Sequence, residues 1–352
     1  MTPWRPPVKI PRSARKPLVA ALSGVLLAAS LSACGGGDPK AELVDGDWDE
    51  IVAAAEEEGR VVFYNGSTQQ QGDRLVKAFN KAYPDIKVTA ERGGADIIAR
   101  VEAQISSDTT GADVFLLGDE EWWVGHDEDV LPVEGPGTED LEGDAWMVED
   151  KVASVFGAPY SVFVWNTDTF SEGFDSYDDF LDPRTKGKVG FRGDASKSAA
   201  GFLDFMESEV DPDWLRKFGQ LEPKLYPSVV PATEAVAAGE VGATPTAQLP
   251  HVLGLIDAGA PLDYFVPEKG YAFDYGIGAL ANAGNPNAAV VFADFASSPE
   301  GQAALAGDDY AISSRPDTKG AINGEGWTML EATKFTPDVI AKWNRTIDEQ
   351  LK

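Results

Sequence analysis

Residues 154–168 read "SVFGAPYSVFVWNTD". This run of β-branched and aromatic residues suits a strand but is longer than one strand needs. Gly157 and Pro159 interrupt it. Glycine weakens a strand interior, and proline removes a ladder donor. A long strand with a break inside predicts a chain that leaves one packed unit and enters another. A second stretch of the same kind, "LDYFVPEKGYAFDYGIGALA" over 262–281, breaks at a Pro-x-x-Gly. Two such stretches predict two lobes joined by a two-crossover hinge.

Working outward, strand and helix patterns alternate on every side. Asp47 can cap a helix that Gly59 ends, and a short apolar strand follows over 60–65. A helix opens at Ser67, with Leu75, Phe79 and Tyr83 on one stripe and Pro84 as its stop. Strands are predicted over 86–91 and 112–117, with a helix over 95–106 between them. Between the two long stretches lie a strand "GKVGFR" (187–192), a helix "SKSAAGFLDFMESE", a helix near 230–239 and a strand "VGATPTA". After them come two helices, capped by Asn285 and Ser298, each with proline at its first position. The alternation predicts an α/β fold with helices on both faces of parallel or mixed sheets. A final amphipathic helix puts Val339, Ile340, Trp343 and Ile347 on one face.

The N-terminus reads differently. Arg5, Lys9, Arg12, Arg15 and Lys16 occur with no acid, and residues 17–33 then carry no charge. A basic start, a short apolar run and small residues describe a secretory signal. The run is short for a membrane span, which needs about 20 residues. It ends in "LSACGGGD" (31–38), which contains Cys34, the only cysteine. Leu31-Ser32-Ala33-Cys34 resembles the lipobox of bacterial lipoproteins. That resemblance implies a signal over 1–33, a lipid on Cys34 and a tether over 34–45, of which the glycine-rich start is flexible. Removing 1–33 leaves 24 Lys+Arg against 58 Asp+Glu, a net of −34. Such a surface repels nucleic acid and anionic lipid and favours a soluble monomer.

Little in the sequence points to catalysis. Neither His126 nor His251 belongs to H-E-x-x-H, and G-x-S-x-G, P-loop and G-x-G-x-x-G patterns are missing. No cofactor is expected. With 58 acids, a carboxylate-based enzyme stays as an alternative. "DGDWDE" (45–50) imitates a calcium loop, but Glu50 stands where the sharp turn needs glycine. It reads instead as an acidic helix start.

Three loops are candidates for binding. "GDEEWWVGHDED" (118–129) follows a strand, where carboxyl ends face a ligand crevice in open α/β sheets. There Asp119 and Glu120 can meet a metal or an amine, and Trp122 or Trp123 can stack on a cation, although both tryptophans suit packing better. "NGSTQQ" (65–70) and "DASKSAAGF" (194–202) each join a strand to a helix N-terminus. Ser67, Thr68, Gln69, Ser196, Lys197 and Ser198 can there bind an anion or only cap the helix.

Segments "AAAEEEGRVVFYNGSTQ", "FNKAYPDIKV", "GADVFLL", "VWNTDTF", "FLDPRTKGKVGFR", "VAAGEVGA", "NPNAAVVFADFASSPEGQAAL" and "YAISSRPD" run from Trp48 to Pro316. In that order they resemble the extracellular solute-binding proteins of ABC importers, of the two-lobe type II periplasmic-binding-protein fold. Within these the chain is most similar to the ferric-ion-binding branch. The resemblance implies a lipid-anchored, monomeric receptor on the outer side of the cell membrane. It hands a small solute to a permease and ATPase complex. It also implies lobes over 46–157 with 268–306, and 158–267 with 307–352.

One feature departs from that branch. Its members hold iron with two adjacent tyrosines, and none of the nine tyrosines here is adjacent to another. The fold carries over; the iron site does not. Thr246 and Gln248 take the tyrosines' place as neutral groups facing the cleft. Tyr160, Tyr271 and Tyr310 lie near the crossovers or their return, placed either to reach the cleft or to pack the hinge. The expected ligand is first an organic, phosphorylated or phosphonate-like anion. A polyamine-like cation and ferric ion with a bridging anion follow. A receptor feeding a sensor has the same fold.

Overall fold

The computed structural model describes residues 41–307, 311–315 and 318–352. Cys34, the signal segment, most of the tether, Tyr310 and Pro316 lie outside these. Among the described residues no helix is long and apolar enough to cross a membrane.

The large sheet begins with three parallel strands, β1 (Arg60–Asn65), β2 (Lys87–Arg92) and β3 (Val114–Leu117). Helices α1 (Trp48–Glu58), α2 (Gln69–Ala82) and α3 (Ala95–Ser106) alternate with them, and α4 (Glu120–Gly125) follows β3. The chain then adds β4 (Trp146–Val148) and β5 (Val152–Pro159) and leaves the sheet. It re-enters a smaller one as β6 (Phe163–Asn166). The opening stretch is thus two strands in two sheets, joined over 160–162.

The second core contains β7 (Gly190–Arg192), α5 (Lys197–Phe205), α6 (Trp214–Gly219), β8 (Lys224–Tyr226) and α7 (Val229–Ala237). Then come β9 (Ala243–Thr244), α8 (Leu249–Asp257) and β10 (Leu262–Phe265). Strands β10, β6 and β9 form an antiparallel sheet, and a Val189–Ala243 bridge links it to the β7–β8 pair. Of the predicted strand "VGATPTA" only two residues pair, because Pro245 has no N–H to continue the ladder.

The chain returns as β11 (Tyr271–Ala279), central in the large sheet between β3 and β5 and antiparallel to both. Next come α9 (Pro286–Ser297) and α10 (Pro299–Ala306). Every residue of α9 is buried, as its nearly all-apolar circumference requires. Phe292 of α9 packs on Phe63 and Phe79 with ring centroids 4.9 and 4.7 Å away. The chain stays on the large sheet beyond residue 307. Ile312 bridges Gly157, and β12 (Thr328–Met329) pairs with the start of β11. Only then does it join the second core, where α11 (Pro337–Leu351) buries Trp343, Ile347 and Leu351 against α5 and α6.

Two predicted caps differ from those observed. The second helix starts from Thr68, not Ser67, because the Asn65 side chain accepts both the N–H and the hydroxyl of Ser67. Asn285 precedes α9 but gives its side chain to Asp113 at 3.0 Å. Ser298 caps α10 as predicted, accepting from Gly301 N–H. The acidic start of α1 is a capping box between Asp47 and Glu50.

Candidate functional site: an acidic cleft

A cleft of about 1740 Å³ opens where the carboxyl end of β3 meets α5, the crossing strands and residues from 312–315 and 318–332. Its lining holds seven carboxylates: Asp119, Glu120, Glu142, Asp144, Asp274, Glu325 and Glu331. The bases of the lining are Lys197 and Arg315, and Lys334 beside it pairs with Glu331 at 2.5 Å. Neither lining base is free. Lys197 pairs with Glu121. Arg315 donates to Asp140 and to the carbonyls of Gly137 and Ser297, at 2.7, 2.6 and 2.7 Å. The described lining is therefore an acidic environment whose own cations are already engaged.

Five of the sequence-predicted residues come together here. Asp119, Glu120, Ser196, Lys197 and Ser198 all line the cleft. Several are partly occupied. Asp119 caps α4, accepting from Trp122 N–H at 3.1 Å. Glu120 accepts from Ala332 N–H at 3.2 Å. Ser196 caps α5 and accepts from Arg192 at 3.1 Å, with Ser198 as its neighbour.

The other predicted residues lie away from this cleft. Ser67 is buried against Asn65, and its carbonyl accepts from Arg92. Thr68 caps α2, and the Gln69 amide donates to Asp73 on the same helix. Thr246 is buried, with its carbonyl accepting from the Thr244 hydroxyl, and Gln248 stands exposed before α8. Tyr160 and Tyr271 are buried in the hinge with hydroxyls that make no hydrogen bond of ordinary geometry. Burial raises the Tyr160 phenol against the pull of the nearby Arg192. Trp122 and Trp123 form the buried face of α4, packing on each other and on Phe115. No three His, Cys, Asp or Glu side chains among the described residues converge on a metal-sized site. Asp119 thus has no partners there for holding a metal.

The floor of the cleft contains what sequence reading missed. Asp274 sits in β11, opposite Gly157 of β5. Burial pushes its carboxyl up to about 6, and Glu120 and Asp144 push the same way, while Ser154 opposes. The Ser154 side chain is 1% exposed, and its hydroxyl makes no hydrogen bond of ordinary geometry. Phe273, Ile312, Trp327 and Met329 wall this end. The Trp327 indole N–H is also buried without a partner. Gly157 allows Met329 to pack closely here, because a Cβ would fall 2.7 Å from the Met329 methyl. The signal was present: Asp274 is the one charge inside the strand "YAFDYGIGA".

The family described as bacterial extracellular solute-binding protein matches residues 74–335, and the chain belongs to it. It is therefore a binding protein of transport rather than an enzyme, with the periplasmic or surface location that the family implies. No curated protein matches the chain. Solved structures share its two-lobe periplasmic-binding-protein fold. The substrate-binding protein of an ABC transporter from Agrobacterium tumefaciens gives a TM-score of 0.65 at 16% identity, over 84% of this chain and 96% of that one. AfuA from Actinobacillus pleuropneumoniae, solved with fructose-6-phosphate, gives 0.57 at 21%, over 83% and 99%. Iron-bound HitA from Pseudomonas aeruginosa gives 0.57 at 18%, over 83% and 99%.

Proposed function

We propose that this chain is the receptor of an ABC importer that captures a small cationic solute, an amine in first place, between its two lobes. The observation that carries this reading is the charge of the cleft: seven carboxylates, of which Glu331 pairs with Lys334, and two lining bases that are both paired. A carboxylate in such a place is stabilised by an opposite charge, and aromatic walls add cation–π attraction. Phe273, Trp146 and Trp327 provide such walls. An anion, the first expectation from the sequence, has less support. The hydroxyls of Ser196 and Ser198 are turned to Arg192 and to each other, and Lys197 is held by Glu121. Ferric ion has less still, since no convergent ligand set supports it among the described residues.

The lobe division we favour follows the two sheets. The first lobe holds 46–157, 268–306 and the 311–329 segment that pairs with its sheet; the second holds 158–267 and the C-terminal helix. Closure around a ligand is driven only by the difference between its affinities for the open and closed forms.

Thermal unfolding against panels of primary amines, sugar phosphates and ferric citrate tests the ligand class. An amine at 100 times its Kd is expected to add about 2.7 kcal/mol of stability. Stabilisation by a phosphate or by iron alone would overturn the cationic reading.

We further propose that Cys34 carries a lipid that holds the receptor at the membrane, as a monomer. The support is the basic start, the uncharged run and the lipobox-like "LSAC". Changing Cys34→Ser is expected to move the protein from the membrane fraction to the soluble fraction. An unchanged distribution would refute the anchor.

A further inference from the structure

Resting on the cationic reading, we propose that Asp274 and Ser154 form the specificity pocket of the cleft, accepting the N–H bonds of a primary ammonium group carried on an aliphatic chain. Both side chains line the floor, from the adjacent antiparallel strands β11 and β5. With the Ser154 proton directed to the Asp274 carboxylate, the remaining lone pairs of both groups are acceptors for a donating ligand. An ionised carboxylate has about four lone-pair sites and a hydroxyl oxygen two, and an ammonium brings three donors. Ser154 is buried, and its hydroxyl makes no hydrogen bond of ordinary geometry, although it lies close enough to Asp274 to lower that carboxyl. Asp274 has no cationic partner among the described residues, since the two bases of the lining are engaged elsewhere. Protein groups therefore do not complete the pocket. The apolar walls formed by Phe273, Ile312, Trp327 and Met329 suit methylene groups next to the charge.

This arrangement discriminates by hydrogen bonding as well as by charge. A quaternary ammonium has the same charge but no N–H, so it would leave Ser154 and Asp274 desolvated and unpaired. Sites built to hydrogen-bond a ligand reject the analogue that lacks the donor far more strongly than apolar pockets reject a change in size.

The test uses the full chain at pH 7.5, with binding read by calorimetry and by tryptophan fluorescence. The probes are 1,4-diaminobutane, 4-aminobutyrate and ethanolamine, and the fully N-methylated counterpart of each. The unmodified chain is expected to bind at least one primary amine, and its methylated counterpart about 10-fold or more weakly. Asp274→Asn is expected to weaken the amine by about 30-fold or more. Ser154→Ala, which keeps the charge, is expected to weaken it by about 5-fold. Cooperative melting of both variants excludes unfolding as the cause. Equal amine binding by the Asp274→Asn variant, or tight binding of the methylated form, would overturn the pocket and leave the cationic reading standing. If none of the amines binds the unmodified chain, both fall together.

Discussion

Replacing Asp113 by alanine is expected to cost about 3–5 kcal/mol of stability and to lower Tm by roughly 10 °C. Asp113 is 1% exposed. One carboxylate oxygen accepts from Gly284 N–H and Asn285 N–H at 2.8 and 3.1 Å. The other accepts from Val62 N–H and the Asn285 side chain at 2.8 and 3.0 Å. The side chain thus fastens β1 to the entry of α9, the buried helix behind the large sheet. Burial raises its carboxyl despite these four donors, which lower it. Alanine would orphan all four, and a buried donor without an acceptor costs its desolvation. Asparagine fits the space but turns an NH₂ group toward two of the donors, so a smaller loss is expected. Thermal and urea unfolding of the two variants read this directly. Near-native stability of the alanine variant would show that the four donors find acceptors elsewhere.

Replacing Asp274 by asparagine is expected to act in the opposite direction on stability. Its folded carboxyl sits at about 6, above the ordinary 3.8, mainly because burial disfavours the charge. A carboxyl raised by folding stabilises the folded state below its ordinary value. That contribution is lost as pH rises to about 6, and the penalty is constant above. Asparagine removes the penalty. At pH 7.5 the variant should gain up to about 3 kcal/mol, seen as a Tm higher by several degrees. At pH 3.5 the two proteins should melt together. Asp294 is likewise held at about 6, so the unmodified chain should itself lose stability between pH 4 and 6. Unlike Asp274, it accepts from Gly137 and Thr138, and its removal would not give a clean reading. A Tm difference independent of pH would mean that Asp274 is not strained by ionisation.

The fold was legible because its marks are local. Pro159 ends β5 and the Pro-x-x-Gly of 267–270 separates β10 from β11, so the two predicted crossovers fall beside these prolines, whereas Gly157 stays paired inside β5. Gly59 and the proline starts of α9 and α10 mark helix ends through their dihedral preferences, and Ser298 does so through its side-chain cap. The site was legible only in part. Asp119, Glu120 and Ser196–Ser198 follow strands, so topology alone sends them to the cleft. Thr246 and Gln248 lie outside the cleft lining, where Pro245 ends β9 early and α8 begins at Leu249. Asp274 was hidden from sequence reading. Its significance depends on Ser154, Glu120 and Trp327, over 50 residues away in sequence in each case, and no local pattern reports such a meeting. The continuation along the large sheet rests on a strand of two residues, Thr328–Met329, too short to have a period.

That short strand bears on how the lobes can move. Three lengths of chain cross between the sheets, not two, and they are stitched side by side. Tyr160 and Ser161 N–H both donate to the Tyr271 carbonyl, at 2.8 and 3.1 Å. Thr328 and Leu330 N–H donate to the carbonyls of Gly270 and Ala272, each at 2.9 Å. Torsion of one lobe about the long axis would shear this ribbon, whereas bending across it strains few bonds. The receptor therefore has one soft rotation, like a door rather than a ball joint. A solute too bulky for the floor stops the swing short of shutting, and the gap it leaves is widest at the mouth. Sieving by size is then exerted by how far the door travels, separately from the chemistry read at its hinge.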